Sequence, residues 1–405
     1  MDNLFEDLIS EGRIFANKEV LRSTHVPEKL PHRNEQIKDL ADILSAALKG
    51  ETPSNILIYG KTGTGKTSTV KYVSNELEEM AQKRGINCSL LYLNSEVFDT
   101  QYRVFAYLAR FFNKRVPMLG WPADMIYSEF KNGIDTKERS VIVTLDEVDK
   151  LAIKGEEALY NLSRINSELK NSRVSLIGIS NDLTFTDLLD PRVKSSLGEE
   201  EIIFPPYNAE QLRDILYERA AKAFNDDAID DAVIPLCAAF AASEHGDARR
   251  ALDLLRVSGE IAERSGSKKV CEEHVRLASG KLEVNKVTEV VKTLPLQSKI
   301  VLSGLLVLSK ESQKKQFSSG EVYNMYRKLC GHLGMDALTQ RRVTDFISEL
   351  DILGLVNAVI VNKGRYGRTK EVSLSVPEES VQSVLLEDYK LKAISSIKVR
   401  AQVTL

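Results

Sequence analysis

Residues 60–67 have the types and spacing of a loop that binds phosphate groups. They read GKTGTGKT, which matches in full the pattern of a glycine, four free positions, and then glycine, lysine and threonine. Glycines let backbone N–H groups wrap around a phosphate, Lys66 offers charge to the outer phosphates, and Thr67 offers a hydroxyl to Mg²⁺. A turn without a ligand is the alternative. The context favours the phosphate loop, because residues 55–59 form a predicted buried strand and a predicted helix follows.

Two acidic residues follow directly on another apolar run of strand length, residues 141–145. A phosphate loop requires a second, acidic site at the end of such a strand, and Asp146 and Glu147 supply it. We predict that Asp146 holds Mg²⁺ with Thr67, and that Glu147 orients or deprotonates the attacking water of a hydrolysis reaction. Asp149 is a secondary candidate, because it suits either the outer shell of the metal or the solvated start of a helix.

The elements that must position these side chains alternate between strands and helices, which indicates an α/β fold with a parallel sheet covered on both faces. After Pro205 and Pro206 the strand signals stop, and residues 209–280 read as helices only. A third unit begins near Asn285 with two or three helices and ends in a strand, a turn and a strand. The domains that we expect are residues 1–205 (nucleotide-binding core), 206–284 (helical lid) and 285–405 (the third unit).

Composition excludes several classes of protein. The 405 residues are 43% hydrophobic and 28% charged, which is typical of a globular protein and too apolar for a largely disordered one. No apolar run reaches the roughly 18 residues that a membrane span needs, and the acidic start lacks the layout of a signal peptide. The four cysteines are far apart, so reduced thiols are expected. We therefore expect a cytoplasmic protein with no membrane partner.

The carboxyl-terminal part of the chain is basic and carries a helix-turn-helix pattern. Residues 286–405 hold 18 Lys and Arg against 12 Asp and Glu, a net charge of +6. Ser318 and Glu321 have the spacing of a capping box that opens one helix, and apolar residues at helical spacing predict a second helix from about 339 to 350. The start of that second helix is expected to enter a major groove. The residues concerned are Thr339, Gln340, Arg341 and Arg342.

A hairpin is predicted directly after these helices, with strands at residues 355–361 and 371–376. Its tip is basic and contains glycines that allow a tight turn, so it suits phosphates or the minor groove of DNA. A charged hairpin that only confers solubility is the alternative. The candidate residues of this wing are Lys363, Arg365, Tyr366, Arg368 and Lys370.

The phosphate loop, the Asp146–Glu147 pair, the strand that ends at Asn181 and the sequence Gly-Asp-Ala-Arg at 246–249 together resemble the ATPases of the AAA+ class. The resemblance implies that Asn181 is a sensor of the attacking water and γ-phosphate. It also implies that Arg249 brings charge from the lid to the phosphates, with Arg250 as the alternative. The expected architecture is an α/β AAA+ parallel-sheet ATPase core, an all-helical lid domain and a C-terminal winged-helix domain.

Residues 24–37, residues 189–198 and the winged-helix tail resemble the archaeal replication-initiator family, which is related to origin recognition complex subunit one and cell division cycle protein six. The similarity extends from about residue 22 to about residue 376. It implies that Pro31, His32 and Arg33 lie against the adenine and ribose. The full set of expected nucleotide contacts is Pro31, His32, Arg33, Gly60, Lys61, Thr62, Gly63, Thr64, Gly65, Lys66, Thr67, Ser68, Tyr207 and Arg249.

The same resemblance implies two further roles. Arg192 lies where relatives place an arginine finger, although the position of a second arginine in eukaryotic relatives holds Ser196 here, and a structural ion pair is the alternative. Residues 102–121 correspond to an insertion that touches DNA in initiator relatives, while an ordinary core helix is the other interpretation. The DNA contacts expected there are Arg103, Arg110, Lys114 and Arg115.

The function expected from these features is an ATP-regulated, double-stranded DNA-binding protein that recognises replication origins and is therefore associated with the nucleoid. The resemblance alone implies recruitment of the replicative helicase and association with other initiator subunits. Slow, Mg²⁺-dependent hydrolysis of ATP to ADP would act as the switch, with Lys66, Asp146, Glu147, Asn181, Arg192 and Arg249 as the machinery. Two rivals stay open, which are a winged-helix transcription regulator switched by ATP and a ring-forming ATPase similar to a clamp loader.

Overall fold

The computed structural model describes residues 14–25, 27, 29–112, 116–117, 120–312, 314–362 and 368–392. The chain divides into two compact units, Met1–Val275 and Arg276–Leu405, and each is described by itself. The helix that contains the division runs without a break from Glu272 to Thr293. Among the described helices, none combines the length and the apolar character that crossing a bilayer would require.

A five-stranded sheet lies at the centre of the first unit. Its strands, in chain order, are β1 (Ile56–Tyr59), β2 (Cys88–Asn94), β3 (Arg139–Asp146), β4 (Ser172–Ser180) and β5 (Glu200–Ile203). All neighbouring pairs are parallel, in the spatial order β2-β3-β4-β1-β5. The predicted parallel sheet is confirmed. Since the carboxyl ends of parallel strands share one edge, Tyr59, Asn94, Asp146 and Ser180 all lie along it.

Helices pack on both faces of this sheet and bury its apolar side chains in two clusters. The central strands β1, β3 and β4 are largely buried and mostly apolar, as expected for a sheet covered on both faces. The helices of the core are α1 (Asn34–Leu44), α2 (Lys66–Arg84), α3 (Gln101–Phe112), α4 (Ala123–Ile134), α5 (Val148–Lys154), α6 (Glu156–Arg164) and α7 (Pro191–Leu197).

The helical lid follows β5. Asn208 opens its first helix with a capping box that includes Gln211, and Asp247 caps a later helix by accepting from two backbone N–H groups. Both caps satisfy N–H groups that would otherwise have no partner at a helix start. The lid helices are α8 (Ala209–Ala223), α9 (Val233–Ser243), α10 (Ala248–Arg264) and α11 (Glu272–Thr293), of which α11 extends across the division between the units.

The second unit has the winged-helix arrangement that the sequence predicts. The predicted capping box at Ser318 and Glu321 is present, and the strands form an antiparallel sheet in the order β6-β8-β7. The apolar faces of the helices and sheet share one core. The elements are α12 (Leu296–Glu311), β6 (Phe317–Ser318), α13 (Ser319–His332), α14 (Gln340–Ile352), β7 (Val356–Asn362), β8 (Arg368–Leu374) and α15 (Glu378–Glu387).

Candidate nucleotide and DNA sites

The predicted phosphate loop connects β1 to α2 at the carboxyl edge of the sheet. Gly63 and Gly65 have φ angles of +71° and +91°, which residues other than glycine rarely adopt. A Cβ atom on Gly63 would lie 1.7 Å from Asp247 Oδ1, and one on Gly65 would lie 2.8 Å from the Tyr207 hydroxyl. Glycine is therefore required at both positions for two reasons: the backbone turn needs a positive φ angle, and Asp247 of the lid and Tyr207 approach too closely to leave room for a side chain.

A cavity of about 390 Å³ opens beside this loop. Its walls include loop residues, the ends of β2, β3 and β4, the segment before α1, and the lid helices α8 and α10. Every wall residue belongs to the first unit. The predicted site residues that border it are Pro31, Thr62, Gly63, Thr64, Gly65, Lys66, Thr67, Ser68, Asp146, Glu147, Asn181, Tyr207 and Arg249.

Lys66 is held at the loop by three hydrogen bonds. Its Nζ donates to the carbonyl oxygens of Gly60 and Lys61 at 2.7 and 2.8 Å, and to Asn181 Oδ1 at 2.8 Å. Burial, opposed by the carboxylate of Asp146, lowers the pKa of Lys66 to about 8. The contact with Asn181 joins the loop to the end of β4, where we predicted a sensor. The two predicted residues are thus close enough to respond to the same phosphate.

The carboxylate of Asp146 is bonded through both oxygens. Oδ2 accepts from Thr67 Oγ1 at 2.8 Å and from the Tyr92 hydroxyl at 2.6 Å, while Oδ1 accepts from the Glu147 N–H at 3.0 Å. Hydroxyl and carboxylate oxygens are the ligands that Mg²⁺ prefers, and it commonly takes only one or two from the protein. Thr67 and Asp146 therefore fit the metal that the sequence implies.

Glu147 has an unusual backbone conformation for a residue with a side chain, with φ at +54°. Such strain often marks a functional position, because the surrounding structure must maintain it. The residue precedes α5 and borders the cavity. Burial, together with the nearby carboxylates of Glu96 and Asp146, raises the pKa of Glu147. A carboxylate with a raised pKa is a stronger base, which suits the predicted removal of a proton from water.

The lid distinguishes between the two candidate sensor arginines. Arg249 borders the cavity. Arg250 is instead paired with Glu244, with Nε at 3.0 Å from Oε2 and Nη2 at 3.4 Å from Oε1. Asp247 fixes the start of α10 against the loop, and the Ala248 N–H donates to the Gly63 carbonyl at 3.1 Å. This arrangement favours Arg249 as the residue that carries charge to the phosphates.

Pro31, His32 and Arg33 differ in what they contact. Pro31 borders the cavity, whereas the His32 ring lies 3.0 Å from Asp214 on α8. Arg33 is only 2% exposed and donates to the carbonyl oxygens of Thr64 at 2.9 Å and Pro205 at 2.7 Å. Its guanidinium also lies 3.8 Å from the centre of the Tyr207 ring. Arg33 therefore supports the loop, and its contact with a nucleotide stays a prediction.

Sequence reasoning missed several side chains of the cavity wall. Tyr92 and Asn94 lie at the carboxyl end of β2, directly beside β3. Polar residues at the end of a strand were the available signal, since ligands of α/β proteins bind at that edge. The lid residues gave no such signal, because helical spacing does not reveal which residues face a distant loop. The remaining missed residues include Lys71, Ile215, Glu218, Arg219 and Leu252.

Arg192, the expected arginine finger, borders a separate cleft with Tyr160. Its guanidinium forms two bonds of 3.0 Å with Asp190 and lies 4.9 Å from the centre of the Tyr160 ring. The hydrogen bonds from Arg192 lower the pKa of Asp190 to about 2. The secondary candidate Asp149 accepts from the Ser180 hydroxyl at 3.0 Å, so it braces the end of β4 next to Asn181.

The predicted recognition helix α14 presents its start to solvent in the second unit. Thr339 is its N-cap residue, and Gln340, Arg341 and Arg342 are exposed. In the wing, Lys370 Nζ donates to Ser348 on this helix at 2.6 Å, and Arg368 begins β8. The remaining candidates of the wing, Lys363, Arg365 and Tyr366, lie outside the described residues.

The predicted insertion contains helix α3, whose solvent side is partly aromatic. Arg103 is exposed and bonded to Asp99 at 2.9 Å, while Tyr107 and Phe111 follow it at helical spacing, 37% and 53% exposed. Arg110 on the same side is half-buried. Exposed aromatic rings beside basic residues suit stacking and phosphate contacts with nucleic acid. Lys114 and Arg115 lie outside the described residues.

Three family models match the chain along its length. The "AAA ATPase domain" matches residues 29–177, the "Cdc6 AAA+ ATPase-type lid domain" matches 213–280, and "CDC6, C terminal winged helix domain" matches 289–384. They confirm the predicted kind and order of the three parts. The exact domain boundaries stay predictions. Residues 284 and 285, where we placed the second boundary, lie inside α11.

Similar proteins cover nearly the whole chain. ORC1-type DNA replication protein 1 of Methanosarcina mazei is 60% identical over 399 residues, covering 98% of this chain and 96% of the relative. The ORC1-type DNA replication protein of Pyrococcus horikoshii is 54% identical, with coverages of 99% and 96%. Among solved structures, the Aeropyrum pernix ORC1 protein in complex with DNA is 46% identical, with a TM-score of 0.84 and coverages of 95% and 100%.

Proposed function

The chain belongs to the family of ORC1-type DNA replication proteins, and from that premise we propose that it is an ATP-regulated initiator that recognises double-stranded origin DNA. The observation that carries the proposal is the convergence of Lys66, Asp146, Glu147 and Arg249 on one cavity. The chain that contains this cavity also contains a winged-helix unit with an exposed, basic helix start. One chain therefore carries both a candidate nucleotide site and a candidate DNA site, as regulation of DNA binding by ATP requires.

ATP binding is supported by the loop and by Lys66. Backbone N–H groups at the start of α2 and the Lys66 ammonium group suit the phosphates, while Thr67 and Asp146 suit Mg²⁺. When bound, Mg²⁺ neutralises charge on the phosphates and orients them. Pro31, Ile215 and Leu252 give the rest of the cavity apolar walls that suit the base and ribose.

Hydrolysis is assigned to residues of this chain that face the same cavity. Glu147 accepts a proton from the attacking water, and Asn181 and Arg249 hold the outer phosphate as its charge changes. Arg192 is bonded to Asp190 and does not border the nucleotide cavity of its own chain. We therefore propose that it acts as an arginine finger only on the ATP of a neighbouring subunit. We propose that this hydrolysis is slow and resets the protein, so that ATP works as a switch.

DNA recognition is assigned to the start of α14, with the wing and α3 as additional contacts. The Aeropyrum pernix relative at 46% identity was solved in complex with DNA, which supports the same partner here. Footprinting of the full chain on chromosomal DNA of the source organism, with ATP, with ADP and without nucleotide, tests the proposal. We expect a discrete protected element whose pattern depends on the nucleotide. Uniform binding to all DNA in every nucleotide state would contradict it.

Recruitment of the replicative helicase is the last step that we propose. It rests on membership of the family and requires a direct assay. The chain and the helicase of the same organism should co-purify on DNA that carries the protected element, and not on DNA of scrambled sequence. Ring assembly in solution on ATP alone would favour a clamp-loader-like ATPase instead. Protection confined to promoters would favour a transcription regulator.

The two lid arginines provide a matched test of the nucleotide site. Arg249→Ala should slow ATP hydrolysis by about 10- to 100-fold, since a charge-assisted hydrogen bond contributes about 1.5–3 kcal/mol. Arg250→Ala should leave the rate within about twofold, because Arg250 pairs with Glu244 on the same lid. Phosphate release by the full chain measures both rates. The reverse ranking would move the sensor role to Arg250.

The recognition helix provides a test of DNA specificity. Arg341→Ala or Arg342→Ala should reduce the preference for the cognate element, because a good bidentate base contact is worth about 1–3 kcal/mol. Arg365→Ala in the wing should instead weaken cognate and random DNA alike and lower the salt slope by roughly one. Competition binding at two salt concentrations separates these outcomes. Loss of specificity in the wing variant alone would reverse the two roles.

A further inference from the structure

The hydroxyl of Tyr92 reaches the carboxylate of Asp146 from the strand next to it. β2 and β3 are parallel, with Tyr92 aligned with Thr144 and Asn94 aligned with Asp146. Since alternate residues of a strand share a face, Tyr92 and Asn94 lie on one side of the sheet. The Tyr92 hydroxyl donates to Asp146 Oδ2 at 2.6 Å, which is a short hydrogen bond of the charge-assisted kind.

Three different elements therefore hold this one carboxylate. Thr67 on α2 and Tyr92 on β2 both donate to Oδ2, while the Glu147 N–H at the end of β3 donates to Oδ1. Asp146 is only 7% exposed, so little water is available to replace a lost donor. The rotamer of Asp146 is thus determined by these bonds.

Tyr92 is itself restrained. Lys71 lies one helical turn after Thr67 on α2, and its Nζ is 4.4 Å from the centre of the Tyr92 ring. An ammonium group over the face of an aromatic ring is attracted to it. The ring borders the cavity, as does Lys71. The α2 helix therefore supports both the Thr67 hydroxyl and the ring whose hydroxyl bonds Asp146.

We propose that Tyr92 is a positioning residue for the Mg²⁺ site, which holds the Asp146 carboxylate in the orientation that the cation requires. The inference rests on the proposed nucleotide function. Groups that orient a metal ligand typically contribute about 10- to 100-fold to metal affinity. The proposal gives Tyr92 no direct contact with the phosphates or with the attacking water. Its loss should therefore affect the contribution of Mg²⁺ to nucleotide binding and leave the metal-free contribution intact.

Tyr92→Phe in the full chain tests this inference, because it removes the hydroxyl and keeps the ring with its Lys71 contact. Binding of a fluorescent ATP analogue is measured across a Mg²⁺ titration and in EDTA. We expect about 10-fold more Mg²⁺ at half-saturation and unchanged affinity in EDTA. Tyr127→Phe is the matched control, since it also removes a hydroxyl bonded to a carboxylate, that of Glu168 at 3.3 Å, away from the cavity.

The possible outcomes separate this inference from the proposed function. If the unmodified protein binds no nucleotide, the proposed ATP site fails, and if it binds nucleotide equally with and without Mg²⁺, the proposed assignment of Thr67 and Asp146 to Mg²⁺ fails. If the unmodified protein responds to Mg²⁺ and Tyr92→Phe has the same midpoint, the positioning role is overturned. An equal loss of affinity in EDTA and in Mg²⁺ would also overturn it, because it would identify Tyr92 as part of the cavity wall. A shift seen equally in Tyr127→Phe would do the same.

Discussion

Lys66→Ala is expected to weaken ATP binding by at least about 100-fold. The Lys66 ammonium group is held at the loop by the carbonyl oxygens of Gly60 and Lys61 and by Asn181, so its charge is already in place, and its N–H groups exchange some of these acceptors for phosphate oxygens when ATP binds. Charge-assisted hydrogen bonds contribute about 1.5–3 kcal/mol each, and about 1.4 kcal/mol corresponds to a factor of ten. Loss of two such bonds from a buried cation accounts for the expected effect.

Equilibrium binding of a fluorescent ATP analogue measures this loss directly. Lys83→Ala is the matched control, because Lys83 lies in the last turn of the same helix, is exposed, and forms an ion pair with Glu79. The control should bind as the unmodified protein does. Thermal unfolding without nucleotide checks that the Lys66 variant is folded. Near-normal affinity in a folded Lys66→Ala protein would show that residues 60–67 do not bind the phosphates.

The parallel sheet could be predicted because four of its strands, β1 to β4, are largely apolar segments of 4–9 residues separated by helical patterns. β5 (Glu200–Ile203) was missed. It has four residues, and only Ile202 among them is buried, so its sequence lacks both the alternation and the apolar run that mark strands. β6 was missed for the same reason, since it has two residues. Short edge strands are defined by their partners, and partners far along the chain leave no local pattern.

The chemistry of the phosphate site could be predicted for a different reason. Lys66 and Thr67 lie next to each other in one motif, and Asp146 and Glu147 end one strand, so each pair carries its own local signal. Thr67 and Asp146 are 79 residues apart along the chain. The sheet brings them together, because the carboxyl ends of its parallel strands share one edge. The predicted meeting of Thr67 and Asp146 therefore required only the fold class, and the two side chains are 2.8 Å apart.

Contacts that depend on long-range packing could not be predicted. The fit of Asp247 against Gly63 joins the lid to the loop across more than 180 residues, and nothing near either residue indicates it. The different surroundings of Arg249 and Arg250 also leave no local signal in the sequence. Both carry the same charge on the same helix; the resemblance named Arg249 first, and the structure places Arg249 at the cavity wall and pairs Arg250 with Glu244. Contacts of this kind are determined by the tertiary structure and not by the residues adjacent in sequence.

Glu147→Gln is expected to keep ATP binding within about twofold and to lower hydrolysis by about 100- to 10,000-fold, the usual contribution of a general base. The amide has nearly the same shape as the carboxylate, and the Asp146–Thr67 pair does not depend on it. The amide cannot accept a proton from water. The effect should therefore appear in the rate of phosphate release and not in the binding constant.

The pH dependence of hydrolysis offers a second measurement of the same residue. Glu147 acts as a base only when ionised, and burial with nearby carboxylates raises its pKa above that of an ordinary glutamate. The rate should therefore fall as the pH drops through this raised value. The fall should begin at a higher pH than an unperturbed glutamate would give. In Glu147→Gln the residual rate should lack this acid limb.

Glu157→Gln provides the control for the change of a carboxylate to an amide. Glu157 lies in the first turn of α6, is exposed, and borders the cleft beside Arg192 instead of the nucleotide cavity. Its variant should hydrolyse ATP at the normal rate with a normal acid limb. Hydrolysis at that rate by Glu147→Gln, with ATP bound, would assign the base to another group. Glu96 is the next candidate, because its charge already acts on Glu147.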